Sequence, residues 1–239
     1  MRKPQLFLFH FAGGNCYSFR FLTPLLPHYE VIALELPGRG KRINEPLLDD
    51  FDEAAKDLYQ QVMTHLTAPE FLIYGHSMGA YLTLRVAGML EKGGRYPARI
   101  IVSGNPGPGI QPEDKKLRYL LSREDFIEEL KILGGLPSEV LEHDELFNFF
   151  EPVLRADFKI VEVNELANDT PVQTPIYALM GNEEEQVTEI GNWARFTTGY
   201  FQSAILEGNH FFIHRHPARL ADIISTGIVK HGLQHSHIR

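Results

Sequence analysis

The chain has 239 residues, a length that suits one globular domain or one domain carrying an inserted segment. Hydrophobic residues make up 44 % of the chain and charged residues 23 %, which excludes a disordered protein. With 31 acidic against 23 basic side chains, the formal net charge is −8, so a dedicated nucleic-acid binder is not expected. The single cysteine, Cys16, excludes an internal disulfide and argues against a zinc site built on cysteines.

The first apolar run, Leu6–Phe11, follows Arg2 and Lys3 and could be mistaken for a secretory signal. His10 and the Gly13-Gly14 pair interrupt the run, and no small-residue cleavage site follows. No segment is long and apolar enough to cross a membrane. We therefore expect this run to be the first buried strand of a cytoplasmic protein.

Further short apolar runs have the length and residue types of buried strands. They are Val31–Leu36, Phe71–Tyr74, Ile100–Ser103, Ile176–Met180 and Ala204–Leu206. Helical patterns between them predict one helix from Asp50 as its cap to Leu66, one over Met78–Leu90, one over Glu189–Phe196 and one from Pro217. The alternation predicts an α/β fold with a right-handed, mostly parallel, doubly wound sheet.

The stretch 107–169 breaks this alternation because it contains no strand pattern. It is predicted to hold three helices: one capped by Ser122 and ended by Gly134-Gly135, one over Ser138–Phe150, and one after Pro152. Ligands bind at the carboxyl edge of such sheets, so we predict a helical lid over that edge. The expected organisation is one domain over 1–239 with this lid inserted, and a purely structural insertion is the alternative.

The strongest local signal is Gly75-His76-Ser77-Met78-Gly79, which follows an apolar run and opens an amphipathic helix. This is the strand–turn–helix context that a nucleophile elbow requires. The glycines relieve crowding in the tight turn, and the helix N-terminus favours a developing anion. Ser77 is therefore the candidate nucleophile, and His76 is expected to pack beside the turn.

A serine needs a general base, and in this fold class the base follows the last strand. Of the 11 histidines, His210 lies directly after the sixth apolar run and is the candidate. His214 and His216 lie further along the chain. The alternative is a histidine that caps the strand end.

The histidine needs a carboxylate, expected between the serine and the histidine in chain order. Three glutamates follow the Ile176–Met180 run, and Glu184 is our choice. Glu183 and Glu185 flank it, Asp169 is a weaker alternative, and the whole acidic run could be a solvated face.

An oxyanion hole needs two backbone amides. The first should be that of Met78, the residue after the nucleophile. The second should come from the loop after the first strand, Phe11-Ala12-Gly13-Gly14, where small residues let the backbone approach the substrate. We choose Ala12 as this donor, with Phe11 as the runner-up.

Six stretches occur in the order of a known family and together span nearly the whole chain. They are Phe9–Gly14, Leu36–Gly40, Gly75–Gly79, Leu133–Pro137, Leu154–Phe158 and Gly208–Phe212. In these motifs the sequence resembles the stand-alone type II thioesterases of the α/β-hydrolase fold, which serve nonribosomal peptide and polyketide synthases. Two positions depart from the family pattern. The family usually has Asp where Glu184 stands, and often Gly where Asn209 stands.

The resemblance implies hydrolysis of acyl or aminoacyl thioesters on the phosphopantetheine arm of carrier proteins, which clears misprimed or stalled carriers. It also implies a mobile lid and puts Ser77 and His210 at the nucleophile and base positions. The mechanism needs no metal or cofactor. We expect a monomer whose partner is the acyl or peptidyl carrier protein, without nucleic acid or membrane. The alternatives are a carboxylic-ester hydrolase acting on a small free ester and a non-catalytic carrier-binding protein.

Several other features receive structural interpretations first. Arg39, Lys41 and Arg42 are read as a solvated loop, with contact to the carrier as the alternative. Cys16 and Trp193 are expected to pack. The aromatics Phe147, Phe149, Phe150 and Phe158 fit either an acyl channel or a lid core, and the tail histidines His231, His235 and His237 are not expected to bind metal.

Overall fold

In the part of the chain that the structure describes, one six-stranded sheet forms the centre. The computed structural model describes residues 2–110 and 116–229, with the side chains of Ile228 and Val229 left out. The strands are β1 Gln5–Phe9, β2 Glu30–Ala33, β3 Phe71–His76, β4 Arg99–Ser103, β5 Ile176–Gly181 and β6 Phe201–Leu206. Their order is β2-β1-β3-β4-β5-β6, and all neighbours pair in parallel. The predicted α/β fold with a parallel sheet is confirmed.

The order in which successive strands are added to the sheet reverses at β1. Strand β2 is added on one side of β1, and β3 and all later strands on the other. Loops that leave the carboxyl ends of β1 and β3 therefore diverge and leave a crevice, the usual ligand position in open α/β sheets. The register pairs Phe9 with Gly75, so the two loops begin at the same level.

Within the described residues, six α-helices accompany the sheet. They are α1 Phe51–His65, α2 Met78–Lys92, α3 Arg123–Leu133, α4 Ser138–Glu142, α5 Asp144–Glu162 and α6 Pro217–Val229. The Asp50 side chain accepts the Glu53 N–H at 2.9 Å, as the sequence predicts for the cap of α1. The sequence predicts an α-helix over Glu189–Phe196. The structure instead has a 3-10 helix over Val187–Phe196.

Both faces of the sheet are covered. In β3, Phe71 and Ile73 pack with α1 and α2 on one face, whereas Leu72 and Tyr74 pack with α6 on the other. This two-sided burial explains why the strand sequences are continuous apolar runs. No helix within the described ranges is long and apolar enough to cross a bilayer.

The helices α3, α4 and α5 lie between β4 and β5 and share a small core of their own. Its buried members are Phe126, Leu130, Leu141, Phe147, Leu154 and Phe158. The predicted helix boundary at Pro152 is wrong. The break falls at His143, and α5 continues through the proline.

An interior proline removes one helical hydrogen bond and costs about 3 kcal/mol. Packing on both sides of Pro152 offsets this cost. Phe147 before it and Leu154 after it are both fully or almost fully buried. The apolar contacts of the insertion therefore decide where α5 ends, rather than the local preference of proline.

Candidate active site

Ser77 sits in the sharp turn between β3 and α2 with φ 55° and ψ −114°. A non-glycine residue in this region stores about 1–3 kcal/mol of backbone strain. Two bonds hold the turn: the Ser77 N–H donates to Ser103 O at 2.7 Å, and Asn105 Nδ2 donates to Ser77 O at 3.0 Å. A Cβ on Gly75 would overlap the Gly79 carbonyl, and one on Gly79 would overlap the Phe9 carbonyl. The motif glycines are therefore required by direct backbone approach.

The candidate base and acid meet at the ends of β5 and β6. His210 Nδ1 lies 3.1 Å from Glu184 Oε2, and Glu184 Oε1 accepts the Gly181 N–H at 2.7 Å. The Glu184 side chain is 8 % exposed and that of His210 is 18 % exposed. Because Nδ1–H donates to the carboxylate, Nε2 keeps its lone pair and is free to accept a proton.

The other candidate acids lie elsewhere. Glu183 and Glu185 are exposed, although Glu185 also lines the cavity described below. Asp169 pairs with Arg85 at 3.0 Å. Among the four carboxylates considered, Glu184 alone contacts His210 in the described structure.

Two further histidines near His210 have other partners. His214 stacks on Phe211 with ring centroids 6.1 Å apart, and His216 Nε2 lies 2.7 Å from Glu207 O. Of the three histidines in this segment, His210 is the one that lines the cavity.

Ser77 and His210 line the same cavity. Both residues belong to the described part of the chain, and no hydrogen bond joins them there. Catalytic hydrogen bonds are often long before substrate binds and tighten in the complex. Proton transfer therefore requires the side chains of Ser77 and His210 to come within hydrogen-bond distance of each other.

The loop Phe11–Gly14, called the oxyanion loop below, is a tight turn. The Gly14 N–H donates to Phe11 O at 2.9 Å, and Gly13 adopts φ 74°. The Gly13 N–H is engaged by Asp157 Oδ2 at 2.8 Å. Among the described residues, the amides of Ala12 and Met78 donate no hydrogen bond. Ala12 lines the cavity described below, whereas Met78 is fully buried at the start of α2.

A buried polar layer lies behind His210. His76 Nδ1 lies 2.8 Å from Ser103 Oγ, which is also 2.9 Å from the Tyr74 hydroxyl. The His76 ring centroid is 5.0 Å from that of His210. Burial, and then the charges of His210 and His214, hold the pKa of His76 well below its usual 6.5. His76 thus stays neutral beside the turn, where the sequence placed it.

The interpretation of Arg39, Lys41 and Arg42 as a solvated basic loop is wrong for two of its three members. Arg39 is 5 % exposed and forms a two-pronged ion pair with the fully buried Asp157. Arg42 pairs with Glu45 and Asp57. Lys41 is exposed, as expected.

A cavity of about 860 Å³ separates the sheet edge from the insertion. Its core-side wall includes the oxyanion loop, Ser77 and His210. The insertion contributes a mainly apolar wall of Leu130, Leu133, Leu136, Leu154, Phe158 and Val161. The insertion also contributes four charged lining residues, which pair among themselves: Lys116, Arg118, Glu129 and Glu162.

The insertion aromatics divide between the two proposed roles. Phe158 belongs to the insertion core and also lines the cavity, whereas Phe147 is buried in that core only and Phe149 is 61 % exposed. Phe150 packs against that core. An acyl channel therefore uses one of the four.

Trp193 packs, as expected, because it is fully buried and its indole N–H donates to Asn105 O at 3.0 Å. Burial and the Glu35 carboxylate raise the pKa of the Cys16 thiol above its usual 9.0, which disfavours a reactive thiolate. His231, His235 and His237 lie outside the described residues. Within the described ranges no group of three or more side chains could hold a metal ion.

His10, next to the oxyanion loop, should make stability depend on pH. Its Nδ1 lies 2.9 Å from Phe11 O, and its Nε2 accepts the Leu36 N–H at 3.3 Å. Burial and then the charge of Arg39 lower the pKa of His10 from 6.5 to about 4. Between pH 6.5 and about 4, His10 is protonated in the unfolded chain but neutral in the folded chain. The free energy of unfolding therefore falls as the pH drops through this range.

The decrease in the free energy of unfolding caused by His10 should reach about 3 kcal/mol near pH 4. Urea unfolding at several pH values between about 7 and 4 measures it. A His10→Gln variant should be less stable at neutral pH but have a shallower slope, and His28→Gln, at an exposed site, should keep the parent slope. An unchanged slope in His10→Gln would contradict the assignment.

The sequence interpretation missed Asp157 and the partner role of Arg39. A signal was available: Asp157 follows Leu154 by three residues and precedes Ile160 by three, which puts it on the buried stripe of α5. A charged residue on an apolar helix face needs a buried partner, but one sequence alone does not identify that partner.

Comparison with known proteins places this geometry in a family. A family model described as the thioesterase domain matches residues 4–228. The chain is 32 % identical over 228 residues to the linear gramicidin dehydrogenase LgrE of Brevibacillus parabrevis, covering 92 % of this chain and 86 % of that protein. It is 32 % identical over 216 residues to the gramicidin S biosynthesis protein GrsT of Aneurinibacillus migulanus, covering 89 % and 84 %.

The comparison with solved structures leads to the same family. The type II thioesterase BorB from the borrelidin biosynthetic cluster superposes with a TM-score of 0.84 at 30 % identity, covering 94 % of this chain and 92 % of that one. The chain therefore belongs to the thioesterase family, within its type II group, and is a serine hydrolase.

Proposed function

We propose that the protein hydrolyses acyl or aminoacyl thioesters held on the phosphopantetheine arm of carrier proteins, and so clears misprimed or stalled carriers in nonribosomal peptide or polyketide biosynthesis. One observation carries the proposal. In a chain of the thioesterase family, Ser77 and the Glu184–His210 pair lie on the wall of a single cavity.

Each candidate residue has a defined role in this reaction. His210 Nε2 removes the proton from Ser77 Oγ, which attacks the thioester carbonyl, while Glu184 holds Nδ1–H and stabilises the imidazolium. The amides of Met78 and Ala12 receive the oxyanion. The thiolate leaves with little acid assistance, and water activated by His210 then hydrolyses the acyl-serine.

The insertion, 107–169, serves as the lid in this proposal. Its apolar wall faces the cavity that contains Ser77, so the acyl chain would lie between Phe158 and the sheet edge. Shielding the acyl-enzyme in an apolar space strengthens the electrostatic contacts around the oxyanion.

The partner would be an acyl or peptidyl carrier protein, met by a monomeric enzyme in the cytoplasm. The names of the two relatives described above concern gramicidin and gramicidin S, and BorB comes from a borrelidin cluster. The family resemblance implies carrier-bound substrates in biosynthesis of this kind, which supports this partner.

The name of LgrE suggests hydride transfer as a second activity. A dinucleotide site in this fold class needs the glycine pattern G-x-G-x-x-G directly after the first strand. Here β1 is followed by His10-Phe11-Ala12-Gly13-Gly14-Asn15, which lacks that pattern. Dehydrogenase activity is therefore not proposed for this chain.

The function is tested by comparing an acyl-carrier protein with a nitrophenyl ester of the same acyl group. We expect kcat/KM to be at least about tenfold higher for the carrier substrate, because binding of the arm and carrier contributes to the transition state. Faster cleavage of the free ester at equal concentration would favour the carboxylic-ester hydrolase. Failure of a fluorophosphonate probe to label Ser77 would favour a non-catalytic carrier-binding protein.

A further inference from the structure

The buried ion pair between Arg39 and Asp157 joins the insertion to the oxyanion loop. We propose that Asp157 and Arg39 are positioning residues that lock α5 onto this loop and so hold the Ala12 amide in place for the oxyanion. This role rests on the proposed function, because it concerns the same catalytic site.

The first contact fixes the direction of one amide. Asp157 Oδ2 accepts the Gly13 N–H at 2.8 Å, and Asp157 is fully buried. The Ala12 carbonyl and the Gly13 N–H belong to one peptide plane and point in opposite directions within it, so holding the Gly13 N–H also holds the Ala12 carbonyl. The Gly14 N–H to Phe11 O bond closes the turn. Between these constraints, the Ala12 N–H has little freedom to move.

The second contact fixes Asp157 itself. Arg39 Nη1 and Nη2 donate to Asp157 Oδ2 and Oδ1 at 2.5 and 2.7 Å. Such a two-pronged pair fixes orientation as well as distance. Arg39 Nη1 also lies 3.4 Å from Gly14 O, so the guanidinium reaches the oxyanion loop directly.

The Glu35 carboxylate connects the residues after the oxyanion loop to the loop that carries Arg39. Glu35 accepts the Cys16 N–H at 3.0 Å and the Lys41 N–H at 2.7 Å. The segment that carries Arg39 is therefore anchored to the chain that follows the oxyanion loop. The backbone around Arg39 is thus held in place, which restricts where its guanidinium can meet Asp157.

Packing adds a third constraint. A Cβ on Gly13 would lie 2.6 Å from Leu154 Cδ2, so the oxyanion loop rests directly on α5. Leu154 and Asp157 are separated by three residues and lie on the same face of the helix. This half of α5 cannot lift from the core without releasing Gly13, so opening of the insertion should involve α3, α4 and the start of α5.

A buried ion pair adds little net stability, because desolvation offsets much of its attraction. Removing one partner alone leaves a buried charge and threatens the fold. The test therefore compares two variants without a buried charge: R39M/D157N keeps a side-chain oxygen for the Gly13 N–H, and R39M/D157L lacks it. Melting temperature, kcat and KM with an acyl-carrier protein, and the rate of Ser77 phosphonylation by a fluorophosphonate are measured for both.

We expect R39M/D157L to have a kcat and a phosphonylation rate at least about tenfold below those of R39M/D157N, because a displaced oxyanion donor costs up to about a thousandfold. Their KM values and melting temperatures should be similar. Equal rates in the two variants would overturn the proposal, and so would a rate loss that follows melting temperature alone.

Arg39→Lys provides a second measurement if R39M/D157L does not fold. It keeps the charge but loses the two-pronged geometry, so kcat should fall at an unchanged KM. The parent kcat in this variant would also overturn the proposal.

The phosphonylation rate separates this proposal from the proposed function, because it needs the oxyanion hole but no carrier protein. A lower rate in R39M/D157L, with no carrier hydrolysis by the parent, would reject the thioesterase function and keep the positioning role. Carrier hydrolysis by the parent, with equal phosphonylation in both variants, would reject the positioning role alone.

Discussion

Ser77→Ala should reduce the rate of carrier-thioester hydrolysis by about 10⁵-fold or more while leaving the protein folded. The loss is expected to be this large because the three triad residues act as one unit, and His210 and Glu184 have no function without the nucleophile. What remains would come from binding and the oxyanion amides.

The fold should not depend on the Ser77 hydroxyl. Its side chain makes no cap hydrogen bond to α2. Alanine retains the Cβ and the backbone strain at φ 55°, so its melting temperature should match that of the parent. Ser77→Gly should be inactive but more stable than Ser77→Ala by about 1 kcal/mol, because glycine adopts this conformation without strain.

Single-turnover hydrolysis of an acyl-carrier protein, followed by mass spectrometry, measures the activity of both variants. Hydrolysis by Ser77→Ala near the parent rate would reject Ser77 as the nucleophile. An unfolded Ser77→Ala together with a folded Ser77→Gly would instead show that the strained turn, rather than the chemistry, limits this position.

The sheet and the elbow could be predicted from the sequence because local patterns determine them. The apolar runs of β3 and β4 are fully buried, and Gly75 and Gly79 occupy positions where a Cβ would strike backbone atoms. Gly75 approaches Gly79 within the turn, whereas Gly79 approaches Phe9 in the neighbouring strand. The apolar runs and the elbow motif are nevertheless short, contiguous patterns, so they can be recognised in one sequence.

Features that depend on long-range contacts were harder to predict. Pro152 suggested a helix end, but contacts of Phe147 and Leu154 carry α5 through it. Arg39 appeared to belong to a solvated loop, yet its partner Asp157 is 118 residues away. A partner at that distance follows from the packing of the insertion on the core, which local residue preferences do not encode.

The acidic run was an intermediate case. Chain order restricted the triad acid to a few residues, but the choice among Glu183, Glu184 and Glu185 depends on how the loop after β5 turns. In the structure, the Glu183 N–H donates to Gly208 O at 3.1 Å and the Glu184 N–H to Gly181 O at 3.2 Å. These bonds direct the side chain of Glu184 inward, toward His210.

Glu184→Gln is expected to lower kcat by about 10³- to 10⁴-fold, more than a simple loss of charge would suggest. Both carboxylate oxygens of Glu184 are used: Oε1 accepts the Gly181 N–H at 2.7 Å, and Oε2 accepts from His210 Nδ1 at 3.1 Å. A glutamine has one oxygen and one NH₂ group for these two donors.

Either orientation of the glutamine amide has a cost. If its oxygen stays on the shorter bond to Gly181, the NH₂ group faces His210 Nδ1 and favours the tautomer protonated at Nε2. That tautomer cannot take the proton from Ser77, and a wrong tautomer costs about 10⁴-fold in kcat in related triads. If the amide flips, two donors face each other at Gly181, and the imidazolium still loses its counter-charge.

The flanking glutamates provide matched controls, since Glu183 and Glu185 are exposed. Glu183→Gln and Glu185→Gln should keep kcat within about twofold of the parent. Glu184→Asp keeps both oxygens and the charge but is one methylene shorter, so its kcat should lie between those of Glu184→Gln and the controls. A larger loss in Glu183→Gln or Glu185→Gln than in Glu184→Gln would assign the triad acid to that residue, because the same chemical change is made at all three positions and only the triad acid needs its carboxylate for turnover.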